Sequence, residues 1–165
     1  MSVYSVQTVD YVSKSEMYTE LKAQARELFT DEHDSIANAA NLSSLVFNTV
    51  PDLNWVGFYF LRGDELVLGP FQGLPACIRI GIGKGVCGTA AQQRQTILVE
   101  NVHEFPGHIV CDSASNSEIV IPLIKDDQII GVFDIDSPKL SCFDREDQSG
   151  LESLAELYLS RSDLD

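Results

Sequence analysis

Cysteines stand at positions 77, 87, 111 and 142, and three of them are surrounded by residues that suit a reactive thiol better than a packed one. Cys111 lies in HEFPGHIVCDSASNSE, residues 103–118, between two segments that read as strands. Glycine, serine and asparagine around it permit tight turns and leave the sulfur accessible. A connection longer than ~12–15 residues without structure of its own tends to be functional in a compact domain. Cys87, in KGVCGTAAQQRQ, opens a predicted helix, where the N-terminal dipole favours a thiolate and lowers its pKa. Cys77 follows Pro75-Ala76 in another loop. The three together point to thiol–disulfide chemistry, against the plainer reading of small buried apolar side chains. Cys142, just ahead of a predicted helix, fits that plainer reading. A zinc site would show a CxxC or HxxxH pair, and neither is present. His103, His108 and Cys111 lack a clear fourth ligand, so no metal is expected.

The carboxyl groups carry a second signal. In GVFDID, period 2 sets Asp134 and Asp136 on one face of a strand and Phe133 and Ile135 on the other. Two carboxylates side by side on so apolar a strand repel each other and resist burial. Either this face is solvated near the strand end marked by Ser137-Pro138, or it lines a pocket. Such a pocket would hold a cation or keep one carboxyl protonated as a proton donor. Glu118, seven residues after Cys111, starts the partner strand and can join the pair. Trp55 and Tyr59 share a strand face with Gly57 between them, either as core or as an aromatic wall for a small apolar group. The glycines of GIGKGVCG match neither the P-loop nor the dinucleotide spacing, so no nucleotide is expected on those motifs.

The elements that position these groups follow from periodicity. Residues 15–29 and 32–50 read as helices, with Thr30-Asp31 capping the second and Ile36, Ala40, Leu45 and Val46 on its buried face. Residues 54–73 read as a hairpin turning at RGDE, CIRIGIG as a strand and TILVENV as another. EIVIPLI and IIGVFDID flank Lys125–Gln128 as a long hairpin, and residues 143–160 form a closing helix. The expected class is α+β with one mainly antiparallel sheet, in a single domain over residues 1–165 whose first 15 residues form an arm. A net charge of −14 disfavours nucleic acid and anionic lipid. The start MSVYSVQTVDY has no secretory pattern and no segment reaches the ~18 apolar residues of a membrane span, so a cytoplasmic protein with reduced thiols is expected.

The order NWVGFYF, LVLGPFQG, ACIRI, GKGVCGTAA, HIVCDSASNSEIVIPL, GVFDIDSP resembles the free methionine-(R)-sulfoxide reductases, from about Glu16 to Tyr158. The most specific segments are Gly85–Gly88, His108–Pro122 and Gly131–Pro138, and the cysteine spacing of ten and then twenty-four is the family's. The resemblance implies a GAF fold: about six mainly antiparallel strands with the N- and C-terminal helices on one face. It implies reduction of free L-methionine (R)-sulfoxide to methionine, with electrons from thioredoxin and no bound cofactor. It makes Cys111 the nucleophile and Cys87 and Cys77 the cysteines that resolve or relay the disulfide, leaving open which acts first. Glu118, Asp134 and Asp136 would line the substrate site, and Trp55 and Tyr59 would contact the methyl end. A homodimer is implied, with helices 16–29, 32–50 and 143–160 as contact surfaces.

Chemistry adds that a sulfoxide yields its oxygen only with an acid nearby, and Asp136 or Glu118 suits that role. The other carboxylates would hold the ammonium group that a peptide-linked methionine lacks. Loop 103–118 reads as a lid, turning at Pro106-Gly107 and closing through freedom at residues 113–117. An acidic site also opposes a Cys111 thiolate; His108, loop N–H groups or the substrate's ammonium are the available counterweights. A sensor domain that binds a small ligand and a thiol switch acting on a protein partner are the rival classes.

Overall fold

The computed structural model describes residues 10–164. Residues 1–9 of the expected N-terminal arm lie outside the described residues, and the helix that follows starts at Lys14. Ser13 caps this helix, α1 (Lys14–Leu28), its hydroxyl accepting from the Glu16 N–H at 3.1 Å. Helix α2 (Ser35–Thr49) begins later than its sequence suggests. Asp31 takes a left-handed φ of 57° within the connection, and Asp34 supplies the cap instead, accepting from Ala37 N–H at 2.8 Å. Its buried face is also rotated from the expected one: Ala39, Leu42, Leu45 and Val46 are buried, whereas Ile36 and Ala40 are exposed. Asn38 draws the helix into this orientation by donating to Glu32 O and to Ser162 Oγ.

The strands are β1 (Trp55–Arg62), β2 (Glu65–Gly73), β3 (Arg79–Gly81), β4 (Ile97–Val99), β5 (Ser117–Lys125) and β6 (Gln128–Ser137). They form one antiparallel sheet in the order β3-β2-β1-β6-β5-β4, which bears out the α+β expectation. The first hairpin turns through Gly63 at a φ of 66°. Strand β3 is shorter than CIRIGIG implies, because Cys77 and Ile78 stay in the loop that precedes it.

Each face of the sheet carries its own core. Phe58, Phe60, Ile119, Ile121, Phe133 and Ile135 point toward α1, α2 and α4 (Arg145–Arg161). Asp144 starts α4 with a capping box closed by Asp147. The opposite face, with Trp55, Tyr59, Val120 and Val132, packs beneath α3 (Gly85–Gln93). Cys142 is half-buried against the first core, as its position before a helix suggested.

Candidate active site

Strand register assembles the site. On the α3 side of the sheet Trp55 pairs with Asp136, which pairs with Glu118 on its other flank. One pleat along, Gly57 pairs with Asp134, which pairs with Val120. Period 2 thus sets three carboxyl groups in adjoining positions on the inner sheet face. Asp134 and Glu118 are each only 6% exposed, while Asp136 is half-buried at the pocket mouth, so the solvated reading of this face fails.

Helix α3 lays Cys87 over the carboxyls. Its thiol donates to Asp134 Oδ2 at 3.3 Å and lies 3.9 Å from Glu118 Oε1. This overturns the expectation of a helix-activated thiolate. Burial first, then the charges of Asp134, Glu118 and Asp136, push the Cys87 thiol well above its ordinary pKa. Three nearby carboxyls outweigh one short helix's dipole. Burial, then Asp134 and Asp136, likewise raise Glu118 well above the usual carboxyl range. Asp136 is raised by burial, Asp134 and Asp112. Asp134 rises only to about 6, because Glu118 and Cys87 donate to it and offset its desolvation.

Cys77 and Cys111 are joined in a disulfide with a Cα–Cα distance of 5.3 Å. The bond draws the loop before β3 against the loop after β4 and closes a cavity of about 40 Å³. Trp55, Tyr59, Cys87, His108, Glu118, Asp134 and Asp136 line it. All the site residues expected from the sequence therefore converge, and Cys77 is the cysteine bonded to Cys111, with Cys87 a free thiol.

The aromatic wall differs in detail from expectation. Trp55 stacks on Tyr59 and Phe71 at centroid separations of 5.9 and 5.3 Å, and its ring covers Gly57. A Cβ at Gly57 would come within 2.5 Å of that ring, so the glycine makes room for the tryptophan itself. Trp55 Nε1 donates to Leu74 O, and Tyr59 OH donates to Cys77 O at 2.8 Å. The wall thereby fixes the backbone that carries Cys77.

The Cys111 loop is tied where freedom was expected. A 3₁₀ turn, Val102–Glu104, begins it. Asn116 is held by His103 Nε2 at 2.8 Å and donates through its amide to Pro138 O at 2.7 Å. Ser117 Oγ donates to Lys139 O, and Ser115 is buried. The less restrained part is 106–111, where Ile109 and Val110 are exposed. Residue-by-residue reading missed Asn54, whose Nδ2 donates to both Asp112 Oδ2 and Ser115 Oγ at 3.0 Å. An asparagine at a strand start reads as turn chemistry, and only the fold shows what it reaches. Lys84, also missed, stands at the N-cap position of α3 without a side-chain capping hydrogen bond and lines the pocket. His108 sits 3.9 Å from Glu118 Oε2, and burial together with His103 lowers its pKa, which weakens it as a source of positive charge for Cys111.

Comparison with known proteins agrees with the fold and the constellation. The GAF domain model matches residues 37–159. The free methionine-R-sulfoxide reductase of Escherichia coli (strain K12) is 50% identical over 143 residues, 87% of this chain and 87% of that protein. The substrate complex of free methionine-R-sulfoxide reductase from Neisseria meningitidis superposes with a TM-score of 0.92 at 40% identity, covering 96% of this chain and 95% of that one. The substrate complex of fRMsr from Staphylococcus aureus gives 0.85 at 49% identity, covering 94% and 99%. With relatives this similar over nearly the full length, the chain belongs to the free methionine-R-sulfoxide reductase family of GAF-domain proteins.

Proposed function

We propose that the chain is an oxidoreductase that reduces free L-methionine (R)-S-oxide to L-methionine, using Cys111 as nucleophile and Cys77 as the resolving cysteine. The observation that carries this reading is the Cys77–Cys111 bridge across the mouth of a pocket floored by Glu118, Asp134 and Asp136. A ligand sensor has no need of such a bridge.

The Cys111 thiolate attacks the sulfoxide sulfur while a carboxylic acid protonates the oxygen. The oxygen passes to Cys111 as a sulfenic acid and methionine leaves. Cys77 then displaces that oxygen as water and the disulfide forms. A thioredoxin dithiol reopens the bridge and is itself oxidised, so two electrons move and no bound cofactor is needed. Glu118 suits the acid's task best, since burial and two neighbouring carboxyls raise its pKa well above the ordinary carboxyl range and favour its protonated form. Asp134 and Asp136 then face the substrate's ammonium group, which restores the negative charge that burial disfavours. This gives selectivity for the free amino acid. Trp55 and Tyr59 form the wall for the methyl end. The ammonium group also offsets the carboxyl charge that opposes a Cys111 thiolate. On this reading the protein works as a cytoplasmic homodimer, where thioredoxin holds thiols reduced.

The test is NADPH consumption coupled through thioredoxin and thioredoxin reductase. Free methionine (R)-sulfoxide should turn over, while the (S) epimer and a peptide sulfoxide should not. Failure of the free (R) form to react removes the proposal.

A further inference from the structure

Cys87 is the one site thiol that the proposed reaction leaves without a chemical step. It stays free beside the Cys77–Cys111 bridge, fully enclosed and pointed at two carboxyl groups. Ligand atoms of Cys87, Glu118 and Asp134 all lie within 4.8 Å of one another. His108 Nε2 stands 3.9 Å from the second oxygen of Glu118. Asp134 adds a further sign: its Oδ2 accepts from Cys87, while its Oδ1 is buried and, the neighbouring Glu118 carboxyl aside, has no side-chain donor among the described residues, with the side chain only 6% exposed. A buried carboxylate oxygen without a partner is costly and awaits a donor or a cation.

The distances suit a small tetrahedral ion. With Zn–S about 2.3 Å and Zn–O about 2.0 Å, tetrahedral sulfur and oxygen ligands stand about 3.5 Å apart. The sulfur–oxygen separations are 3.3 and 3.9 Å. His108 stands outside this group of three, 3.9 Å from the second oxygen of Glu118, and the loop that carries it must move inward to supply a fourth donor. Thiolate, imidazole and carboxylate together are the donor set of a borderline-soft divalent cation, whereas calcium and magnesium take oxygen ligands.

We propose that Cys87, Glu118 and Asp134, with His108 as fourth ligand, bind a thiophilic divalent cation such as Zn²⁺, and that the bound ion closes the substrate pocket. The ion takes the carboxyls that the reaction needs and pins the His108 end of the loop bearing Cys111. It is an inhibitor of the site and has no part in turnover. The blocking half of this inference rests on the proposed reaction. The binding half does not, and a spectrum separates them.

Co²⁺ is titrated into the full-length chain in its disulfide form, where Cys87 and Cys142 are the free thiols. A thiolate-to-cobalt charge-transfer band should appear, persist in Cys142→Ser and vanish in Cys87→Ser. Asp134→Asn and Glu118→Gln keep the thiol and the side-chain shape. Each should weaken Co²⁺ binding at least about tenfold, since even loss of an outer-shell partner costs that much. No band, or a band that survives Cys87→Ser, overturns the site; so do unchanged affinities in both carboxyl variants. In single turnover of the reduced protein, Zn²⁺ should slow methionine formation, with an inhibition constant that rises as methionine sulfoxide is raised and full reversal by EDTA. Binding without that competition overturns the blocking half. A Co²⁺ band in a protein inactive toward methionine sulfoxide sinks the reaction and leaves the site standing.

Discussion

Asn54→Ala tests how the Cys111 loop is held once its disulfide opens. In the oxidised protein the Cys77–Cys111 bond restrains the loop covalently. After reduction, the tether near Cys111 is the Asn54 amide, which donates to Asp112 Oδ2 and Ser115 Oγ, each at 3.0 Å. A hydrogen bond to a charged group is worth about 1.5–3 kcal/mol and a neutral one about 0.5–1.5. The two together therefore hold the loop by about 2–4 kcal/mol. Asp112 keeps its turn with Ala114 N–H, and Asn116 keeps its ties to His103 and Pro138, so part of the docking survives. Loss of about 1.4–3 kcal/mol from the docked state lowers its share by about 6- to 80-fold where docked and free loops were balanced. Methionine formation by reduced protein in single turnover should fall by about that factor. Hydrogen exchange over residues 109–115 should rise in the reduced protein and stay near wild type in the oxidised one. The melting temperature should barely move, because the loop opens locally without unfolding the sheet. A rate within twofold of wild type, or a loss of rate that tracks a fall in melting temperature, refutes the tether.

The remaining expectations concern the thiols, the carboxyls and the aromatic wall. Cys111→Ser should abolish methionine formation. Cys77→Ser should keep one turnover, leave a sulfenic acid that a selective reagent traps on Cys111, and stop recycling by thioredoxin. Asp134, raised from 3.8 to about 6 in the fold, binds its proton more tightly folded than unfolded. Its contribution to stability is therefore present below about pH 4 and lost as pH rises through about 6. Asp134→Asn should raise the melting temperature relative to wild type more at pH 7 than at pH 4, and an equal change at both would refute the assignment. Gly57→Ala sets a Cβ against Phe71 Cβ and 2.5 Å from the Trp55 ring. Overpacking of this kind costs about 1–3 kcal/mol, or about 2–12 °C in melting temperature for a chain of this size. KM for the sulfoxide should rise with it, and a variant with wild-type melting and KM would show that the wall has slack.

Why so much of the site was legible comes down to period. Alternation in GVFDID and NWVGFYF sets Asp134, Asp136, Trp55 and Tyr59 on the same sides of their strands without any knowledge of the partner strand. The antiparallel pairing then has to bring those sides together, because Phe133, Ile135 and Phe58 demand the helical face. Glu118 joins by the same rule, as Ile119 and Ile121 take the helical side of β5. Helix α2 was harder. Its apolar residues include Ile36 and Ala40, and its buried face is settled partly by Asn38, which reaches residues 32 and 162. A polar residue deciding a helix's rotation through distant partners leaves no periodic trace.

Cys87 marks the same boundary in electrostatic terms. Its place in the first turn of α3 is visible in the sequence, and an isolated helix would lower its pKa. The opposite sign arises from β5 and β6, which bring Glu118 and Asp134 beneath the sulfur across 31 and 47 residues of chain. A dipole effect acts locally and can be read locally. A desolvated thiol among carboxyls is a product of the sheet register. On the proposed reaction that difference separates the two sulfurs: Cys111, on a loop beside the pocket, ionises when the bound substrate supplies positive charge. Cys87, enclosed among the carboxyls that push its pKa up, gives up its proton only to the cation proposed above.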